Sequence, residues 1–389
     1  MTKPINASSW LVFAVFGACA CTVSPDTPDG SQAGQGGQAP AAGTSAGGSA
    51  AGSPVTTGGV SSSGSSTGGV GGVTAGAGGT VAGAGGASGG SSGSGGGGGG
   101  GGSGGAGGAT SKPVCPAGDF AKPVAGNPMT VCQGFQYAHD YNEGPTWVAS
   151  QNAFFFSNFV QGAANGVVTG DIIKYTPGGS CEVFIKDAGT NGLAVSTKGN
   201  LLGATHKTRS ITEFDVGTKQ LTVLSDMYMG KMLDSPNDLI QSSSGNIYFS
   251  NPTYELGGRP QGVGGAIFRR DPQGMLTLIK QSGAPNGVAI SPKEDRLYVV
   301  NGGLWDLDPS GVPSNNRDFP LSADGLAVDC AGNVYLSGGS IRDPMSGNEI
   351  AKFSGGTNLA FGGPDGKTLL VVGGGTNVKV LQMNVPGLP

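Results

Sequence analysis

Several patterns that mark other protein classes are scarce or absent in this sequence. It has no basic stripe, and after residue 30 its 20 Lys and Arg stand against 23 Asp and Glu, so nucleic acid is not expected as a partner. Its two His and six Cys show no C-x-x-C or H-x-x-x-H spacing that would support zinc binding. Amphipathic helical patterns are nearly absent, which disfavours a parallel α/β sheet.

The one long apolar run lies near the N terminus. Residues 1–21 carry a single cation and then about nine mostly apolar residues, the pattern of a secretory signal that is too short to remain as a membrane span. A pair of small residues before Cys19 indicates a lipobox, although Phe16 stands where Leu is usual. Lipidation at Cys21 and ordinary cleavage near Ala20 are the alternatives. We predict export to the periplasm or cell surface, with a lipid anchor as the sole membrane contact.

Residues 22–112 lack what builds a hydrophobic core. Between 31 and 110, 35 of 80 residues are Gly and none is charged or aromatic. Such a segment cannot bury enough apolar surface to offset its ordering entropy. We predict a disordered tether with a root-mean-square span of about 50 Å. Residues 113–389 are numerous enough for one domain with a substantial core.

The folded part contains four cysteines, Cys115, Cys132, Cys181 and Cys330. In an exported protein an even number permits disulfides. The sequence leaves their pairing open. Cys115 and Cys132 are nearest in the sequence, and their spacing suits a staple on an N-terminal strand.

One unit recurs through this domain: a polar turn, a strand, a second turn and a second strand. It is clearest over 233–254, where an SPND turn precedes an apolar pair and an SGN turn precedes the strand-forming run IYF. Successive units begin 48, 46, 49, 38 and 34 residues apart, a period typical of a β-propeller. We therefore predict an all-β fold of six blades. The lead residues of the six units are Glu143, Asn191, Asn237, Asn286, Asp324 and Asn358.

These lead positions predict a binding site. Equivalent positions of propeller blades face the same end of the central channel, so the six side chains should ring one mouth. Carboxylate and amide oxygens suit Ca²⁺, and Mg²⁺ or Mn²⁺ less well. The alternative is that each Asn or Asp is a turn residue that bonds its own backbone. Polar residues at all six lead positions favour the cation.

Several motifs in this order resemble the gluconolactonase, senescence-marker-protein and luciferin-regenerating-enzyme family of six-bladed propellers. The resemblance covers about residues 143–386. The motifs are EGP at 143–145, ATH at 204–206, SPND at 235–238, PNG at 285–287, DGL at 324–326, TNLAFGGPDG at 357–366 and NVPG at 384–387.

The resemblance implies a divalent cation at one end of the channel. Its ligands would be Glu143, Asn286 and Asp324, with Asn237 as a fourth ligand or bound through water. Ca²⁺ is the expected cation, with Mg²⁺, Mn²⁺ and Zn²⁺ as alternatives. The implied reaction is hydrolysis of lactones, in which the cation polarises the carbonyl and a nearby base activates water.

The resemblance also implies the residues that contact substrate. Asp324 and His206 are the candidate bases, although His206 has the alternative role of a satisfied polar residue at the rim. Asn191 and Tyr254 are predicted to bind substrate. We expect the second histidine, His139, to be structural.

Three departures from the family pattern leave the substrate open. Ser235 stands where animal sugar-lactone members have Arg, Asn251 stands where relatives often have Asp, and residues 302–311 are expected to shorten the outer hairpin of the fifth blade. We predict a monomeric, metal-dependent lactonase for a small-molecule substrate. The alternatives are a non-catalytic surface-binding propeller with a structural metal, and a broad esterase or phosphotriesterase.

Overall fold

The computed structural model describes residues 115–160 and 169–389, whose regular secondary structure is almost entirely β-strand. The predicted signal (1–21) and linker (22–112) lie outside the described residues and remain predictions. Six four-stranded antiparallel sheets follow one another along the chain, which confirms the six-bladed β-propeller. In the described ranges the single helical segment is the 3₁₀ turn Ala149–Gln151, and no helix there is long and apolar enough to cross a membrane.

The first three blades follow a short strand, β1 (Met129–Thr130). Their strands run in chain order from the channel outwards. Blade 1 contains β2 (Tyr141–Val148), β3 (Ala153–Phe159), β4 (Gly170–Tyr175) and β5 (Cys181–Ile185). Blade 2 contains β6 (Thr190–Val195), β7 (Leu201–Thr205), β8 (Ser210–Phe214) and β9 (Leu221–Ser225). After a hairpin of β10 (Met227–Tyr228) and β11 (Lys231–Met232), blade 3 contains β12 (Leu239–Gln241), β13 (Ile247–Asn251), β14 (Ala266–Arg270) and β15 (Leu276–Gln281).

The last three blades have the same order, except that the sixth takes its outer strand from the start of the domain. Blade 4 contains β16 (Val288–Ile290), β17 (Arg296–Val299), β18 (Gly303–Leu307) and β19 (Pro313–Arg317). Blade 5 contains β20 (Leu326–Val328), β21 (Val334–Leu336), β22 (Ser340–Arg342) and β23 (Glu349–Lys352). Blade 6 contains β24 (Asn358–Gly362), β25 (Thr368–Val372), β26 (Lys379–Gln382) and β1. The pairing of β1 with β26 closes the ring with strands from both ends of the domain.

The prediction for the outer hairpin of the fifth blade was wrong. Residues 302–311 belong to blade 4, and they supply β18 and the turn that leads to β19. These two strands pair as a complete outer hairpin. The sequence Asp308-Pro-Ser-Gly forms the turn between these two strands, so the hairpin is not shortened there.

The hydrophobic core lies between the blades rather than at one centre. Each of six apolar clusters joins side chains of two neighbouring blades. The run Phe154-Phe155-Phe156 illustrates the cause, since successive side chains of a strand point to opposite faces. Phe154 and Phe156 pack towards blade 6, whereas Phe155 packs towards blade 2. Packing between blades therefore holds the strand ends at the channel in register.

The cysteines nearest in the sequence, Cys115 and Cys132, do not pair with each other. Cys115 bonds Cys330 and Cys132 bonds Cys181, with Cα–Cα distances of 5.4 and 5.1 Å. The first bond ties the start of the domain to a turn of blade 5, and the second ties the segment after β1 to the outer strand of blade 1. All four thiols are used in disulfides, so none of them is available to zinc.

Candidate functional site at one mouth of the channel

The inner strands of the blades begin at the same end of the channel, where neighbouring blades bond one another. At three of the junctions between blades, the backbone N–H of the glycine after a lead residue donates to the lead carbonyl of the next blade. These bonds bring the lead residues of blades 2 and 3 together, and likewise those of blades 4, 5 and 6, at one end of the channel. They run from Gly192 to Asn237 (2.7 Å), from Gly287 to Asp324 (2.9 Å) and from Gly325 to Thr357 (2.9 Å).

The same bonds correct the register predicted for blade 6. Thr357 occupies the lead position there, because its carbonyl accepts the bond that Asp324 accepts in blade 5. Asn358 matches Asp238 instead, since each Oδ1 accepts the N–H of the following leucine at 2.8 Å. The mouth therefore carries five acidic or amide lead residues and one threonine. The sequence did not reveal this shift of one residue in the lead position, because Thr357 and Asn358 are both polar.

A second layer lies one residue further along the inner strands. Asp238 and Asn358 project into the channel there, and glycine at the neighbouring positions leaves room for them. A Cβ on Gly192 would lie 2.8 Å from Asp238 Oδ1, and a Cβ on Gly325 would overlap Asn358 Oδ1. Burial raises the pKa of Asp238 to about 7, although its oxygens accept backbone N–H groups from Leu239 (2.8 Å) and Val288 (3.2 Å).

Two of the predicted ligands are carboxylates whose pKa values are raised. Glu143 is buried, and its Oε1 has no hydrogen-bond partner among the described residues. Burial first, and the charge of Asp324 second, raise the pKa of Glu143 well above its usual range. Burial also raises the pKa of Asp324, against a 2.6 Å hydrogen bond donated by Asn286 Nδ2 to Asp324 Oδ1. Glu143, Asn286 and Asp324 are thus brought to one mouth.

This arrangement fits a divalent cation. A buried, unpartnered carboxylate oxygen beside a second carboxylate is stabilised by positive charge. The oxygens of Asn237 and Asn286 would complete a hard-oxygen set. Across residues 115–160 and 169–389, no three His, Cys, Asp or Glu side chains form a metal-holding group. A cation here would therefore depend on amide ligands beside two carboxylates.

A third carboxylate reaches the mouth from the loop between β13 and β14. The Oε2 atom of Glu255 lies 2.9 Å from Asn237 Nδ2, 3.4 Å from Asn191 Nδ2 and 3.1 Å from His206 Nε2. Burial works to raise the pKa of Glu255, but His206 and the two amides hold it below its usual value. Sequence reasoning missed this residue. Its one signal was an acidic side chain directly after the predicted substrate contact Tyr254.

His206 is completely buried in the turn between β7 and β8. Its Nε2 lies within ion-pair distance of Glu255 without the alignment of a hydrogen bond, and its Nδ1 has no partner in the described part of the chain. Its backbone carbonyl accepts a 2.6 Å bond from Arg259 Nη1. The ring of Phe159 packs edge-on at 6.3 Å. His206 thus lies at the predicted mouth beside a carboxylate, which suits a proton-handling group.

The remaining predicted residues lie at different depths. Tyr254 has half of its surface exposed, and burial of its hydroxyl followed by the charge of Glu255 raises the pKa of that phenol. Asn191 is buried. His139 contacts Asn158 through its backbone, with N–H and C=O bonds of 3.1 Å each. That position fits the structural role predicted for His139.

Below the second layer the channel contains a cavity of about 280 Å³. Asp238 and Asn358 lie at its upper end, and Ser243 and Glu294 line its far end. Its walls are apolar side chains of the inner strands, such as Val288. The polar chemistry is therefore concentrated at the mouth.

The fold and the mouth together define a six-bladed propeller with an oxygen-rich site of carboxylates and amides. Residues 141–374 match the SMP-30/Gluconolactonase/LRE-like region. The chain belongs to that family.

Individual relatives are similar over most of the propeller. A gluconolactonase of Zymomonas mobilis is 31% identical over 278 residues, which cover 59% of this chain and 75% of that protein. The structure of a gluconolactonase from Xanthomonas campestris is 25% identical with a TM-score of 0.55, covering 71% of this chain and 99% of its own. The chain shares its fold with the calcium-binding protein regucalcin of Agrobacterium tumefaciens, to which it is 20% identical. That match has a TM-score of 0.51 and covers 66% of this chain and 94% of that protein. The gluconolactonase relatives support lactone hydrolysis as the activity of this chain.

Proposed function

We propose that this protein is a divalent-cation-dependent hydrolase that opens small lactones at the mouth defined above. The observation that carries the proposal is the convergence of Glu143, Asp324 and Asn286, with one buried carboxylate oxygen that has no partner in the described part of the chain. Glu143, Asp324, Asn286 and Asn237 would hold the cation. Their all-oxygen set favours Ca²⁺ over softer ions. When bound, the cation polarises the lactone carbonyl and stabilises negative charge on its oxygen.

Hydrolysis also requires proton transfer. Asp324 Oδ1 accepts the hydrogen bond of the Asn286 amide, so Oδ2 would be the oxygen that accepts a proton from water as that water attacks the carbonyl carbon. The ring C–O bond then breaks, and that proton returns to the departing alkoxide to give the hydroxy acid. His206, with Nε2 held near Glu255, is the second candidate for this transfer.

Substrate would enter from the side of Tyr254, whose ring is half exposed at the rim. Its phenol remains protonated across the physiological range, because burial and the neighbouring carboxylates raise its pKa. It can therefore donate a hydrogen bond to a substrate oxygen. Asn191 would supply a further polar contact through its Oδ1.

The test is hydrolysis of a lactone panel by the purified full chain after chelation, and after adding back Ca²⁺, Mg²⁺, Mn²⁺ or Zn²⁺. We expect turnover that chelation removes, that Ca²⁺ restores best and that Asp324→Ala lacks. Tight cation binding without turnover would favour a binding propeller. Faster cleavage of aryl esters or phosphotriesters than of lactones would favour the broad esterase.

A further inference from the structure

One carboxylate oxygen at the mouth gathers side chains from two blades. Glu255 Oε2 lies within 3.4 Å of the amide nitrogens of Asn191 and Asn237 and of the Nε2 atom of His206. Asn191 and His206 belong to blade 2, whereas Asn237 precedes the first strand of blade 3. None of these contacts is local in the sequence. Glu255 therefore connects three residues to which the proposed function assigns roles.

The carboxylate determines how the two amides are oriented. An ionised carboxylate only accepts hydrogen bonds, so each Asn must present Nδ2 to it, and the Oδ1 atom of each Asn then points elsewhere. No donor in the described residues bonds Oδ1 of Asn191 or Asn237. A missing side chain at 255 would leave both amides free to rotate by half a turn, which would exchange oxygen for nitrogen.

The loop that carries Glu255 is anchored by other contacts. The carboxylate of Asp234 accepts the backbone N–H groups of Gly262 (2.6 Å) and Gly264 (2.7 Å). Arg209 donates to the carbonyls of Leu233 (2.6 Å) and Pro260 (3.0 Å). The Glu255 carboxylate is consequently not needed to hold the loop in place.

We propose that Glu255 is a positioning residue, which keeps the carbonyl oxygens of Asn237 and Asn191 directed at the bound cation and substrate. The inference rests on the proposed function, because it takes Asn237 as a cation ligand. Residues that orient metal ligands typically contribute 10–100-fold in affinity. Glu255 would act through Asn237 without itself coordinating the cation.

The test is calorimetric titration of the cation-free full chain with Ca²⁺, in the absence of substrate. Glu255→Ala should weaken Ca²⁺ binding roughly 10–100-fold, and Glu255→Gln, which retains one acceptor oxygen, should lose less. The melting temperature of the cation-free protein should stay close to wild type, since the loop keeps its other anchors. Glu182→Ala, on the exposed outer strand of blade 1, is the matched control and should bind as wild type.

A double variant separates positioning from a general effect. If Glu255 acts through Asn237, Asn237→Ala/Glu255→Ala should bind Ca²⁺ no more weakly than Asn237→Ala alone. Additive losses, or an unchanged affinity in Glu255→Ala, would overturn the inference while leaving the proposed function intact. If Glu255→Ala does not fold, Glu255→Gln combined with Asn237→Ala gives the same comparison. Failure of the wild type to bind any of the four cations would instead refute the proposed function.

Discussion

Carboxylates in the outer hairpins and carboxylates at the channel mouth have opposite surroundings. Asp215, Asp308 and Asp343 lie in the same turn of three blades, and in each the Oδ1 atom accepts backbone N–H groups two to four residues later. These bonds lower the pKa of all three. At the mouth, burial raises the pKa of Glu143 and Asp324 instead.

This contrast decides between two interpretations of the repeated polar residues. A turn aspartate satisfies its own charge with nearby backbone, so local structure is sufficient to explain it. Glu143 retains an unpartnered buried oxygen among the described residues, which costs stability in the cation-free protein. Turn formation therefore accounts for Asp215, Asp308 and Asp343, but not for Glu143 or Asp324.

The largest expected effect comes from removing a mouth carboxylate. Asp324→Asn should reduce lactone turnover by about 100-fold or more, because a general base typically contributes 10²–10⁴-fold. Asp308→Asn, the matched change in an outer hairpin, should leave turnover unchanged. Steady-state kinetics of both variants would check this. Similar losses in the two variants would erase the distinction between the regions.

The second prediction concerns stability against pH in the chelated protein. The folded-state pKa of Asp238 is about 7, well above its usual value, so its contribution to stability is present below pH 4 and is lost as the pH rises through 7. The raised pKa values of Glu143 and Asp324 act in the same direction. The melting temperature should fall by roughly 5 °C or more between pH 4 and pH 8.

Calorimetric scans with a chelator would measure that fall. Ca²⁺ should reduce it, and Asp238→Asn should also make it smaller, because that variant has no charge to bury at position 238. A melting temperature that stays constant or rises over this interval would show that the carboxylates of the mouth are already compensated without a cation.

The third prediction concerns the space below the mouth. Gly325→Ala should destabilise the protein by about 1–3 kcal/mol, since the added Cβ overlaps the Asn358 side chain, whose Oδ1 is held by the N–H of Leu359. Asp324 is adjacent, so Ca²⁺ affinity should fall as well. Gly283→Ala is the control, because a Cβ at Gly283 meets nothing within 4 Å. Denaturant unfolding of both variants would measure these changes. Equal losses of unfolding free energy in the two variants would contradict the packing argument.

The smallest effect is expected in the hairpin turns. Asp308→Ala removes a carboxylate whose pKa is lowered by the N–H of Val312 and by Ser310. The wild-type advantage in melting temperature should therefore be present above the ordinary Asp pKa near 3.9 and vanish as the pH falls below it. We expect a difference of a degree or two that leaves lactone turnover intact. An advantage that grows at low pH would contradict this assignment.

The repeated turns and strands were sufficient to predict the fold. Each blade is a run of short antiparallel strands joined by turns whose residues are local in the sequence, so blade number and lead positions could be counted. The error in blade 6 arose because Thr357 and Asn358 are both suited to the lead position, and the hydrogen bond from Gly325 of the neighbouring blade resolves it. The unit containing residues 302–311 was misassigned for a similar reason, since blade boundaries carry no mark in the sequence.

Contacts between distant segments could not be predicted in the same way. Cys115 and Cys330 are 215 residues apart in the sequence and are joined only because β1 returns to close blade 6 beside blade 5. Glu255 meets Asn191 across 64 residues, through a loop whose course depends on Asp234 and Arg209. The periodic pattern of the sequence does not indicate such long-range contacts.

By itself, the sequence determined the class of fold, the number of blades and the residue types that gather at one mouth, because these follow from local turn chemistry repeated at a regular interval. The tertiary structure alone decided which carboxylate oxygen lacks a partner among the described residues, which cysteines join and which glutamate accepts hydrogen bonds from the mouth amides. Those outcomes depend on the angle and separation between neighbouring blades, and these are set by side-chain packing across the whole ring.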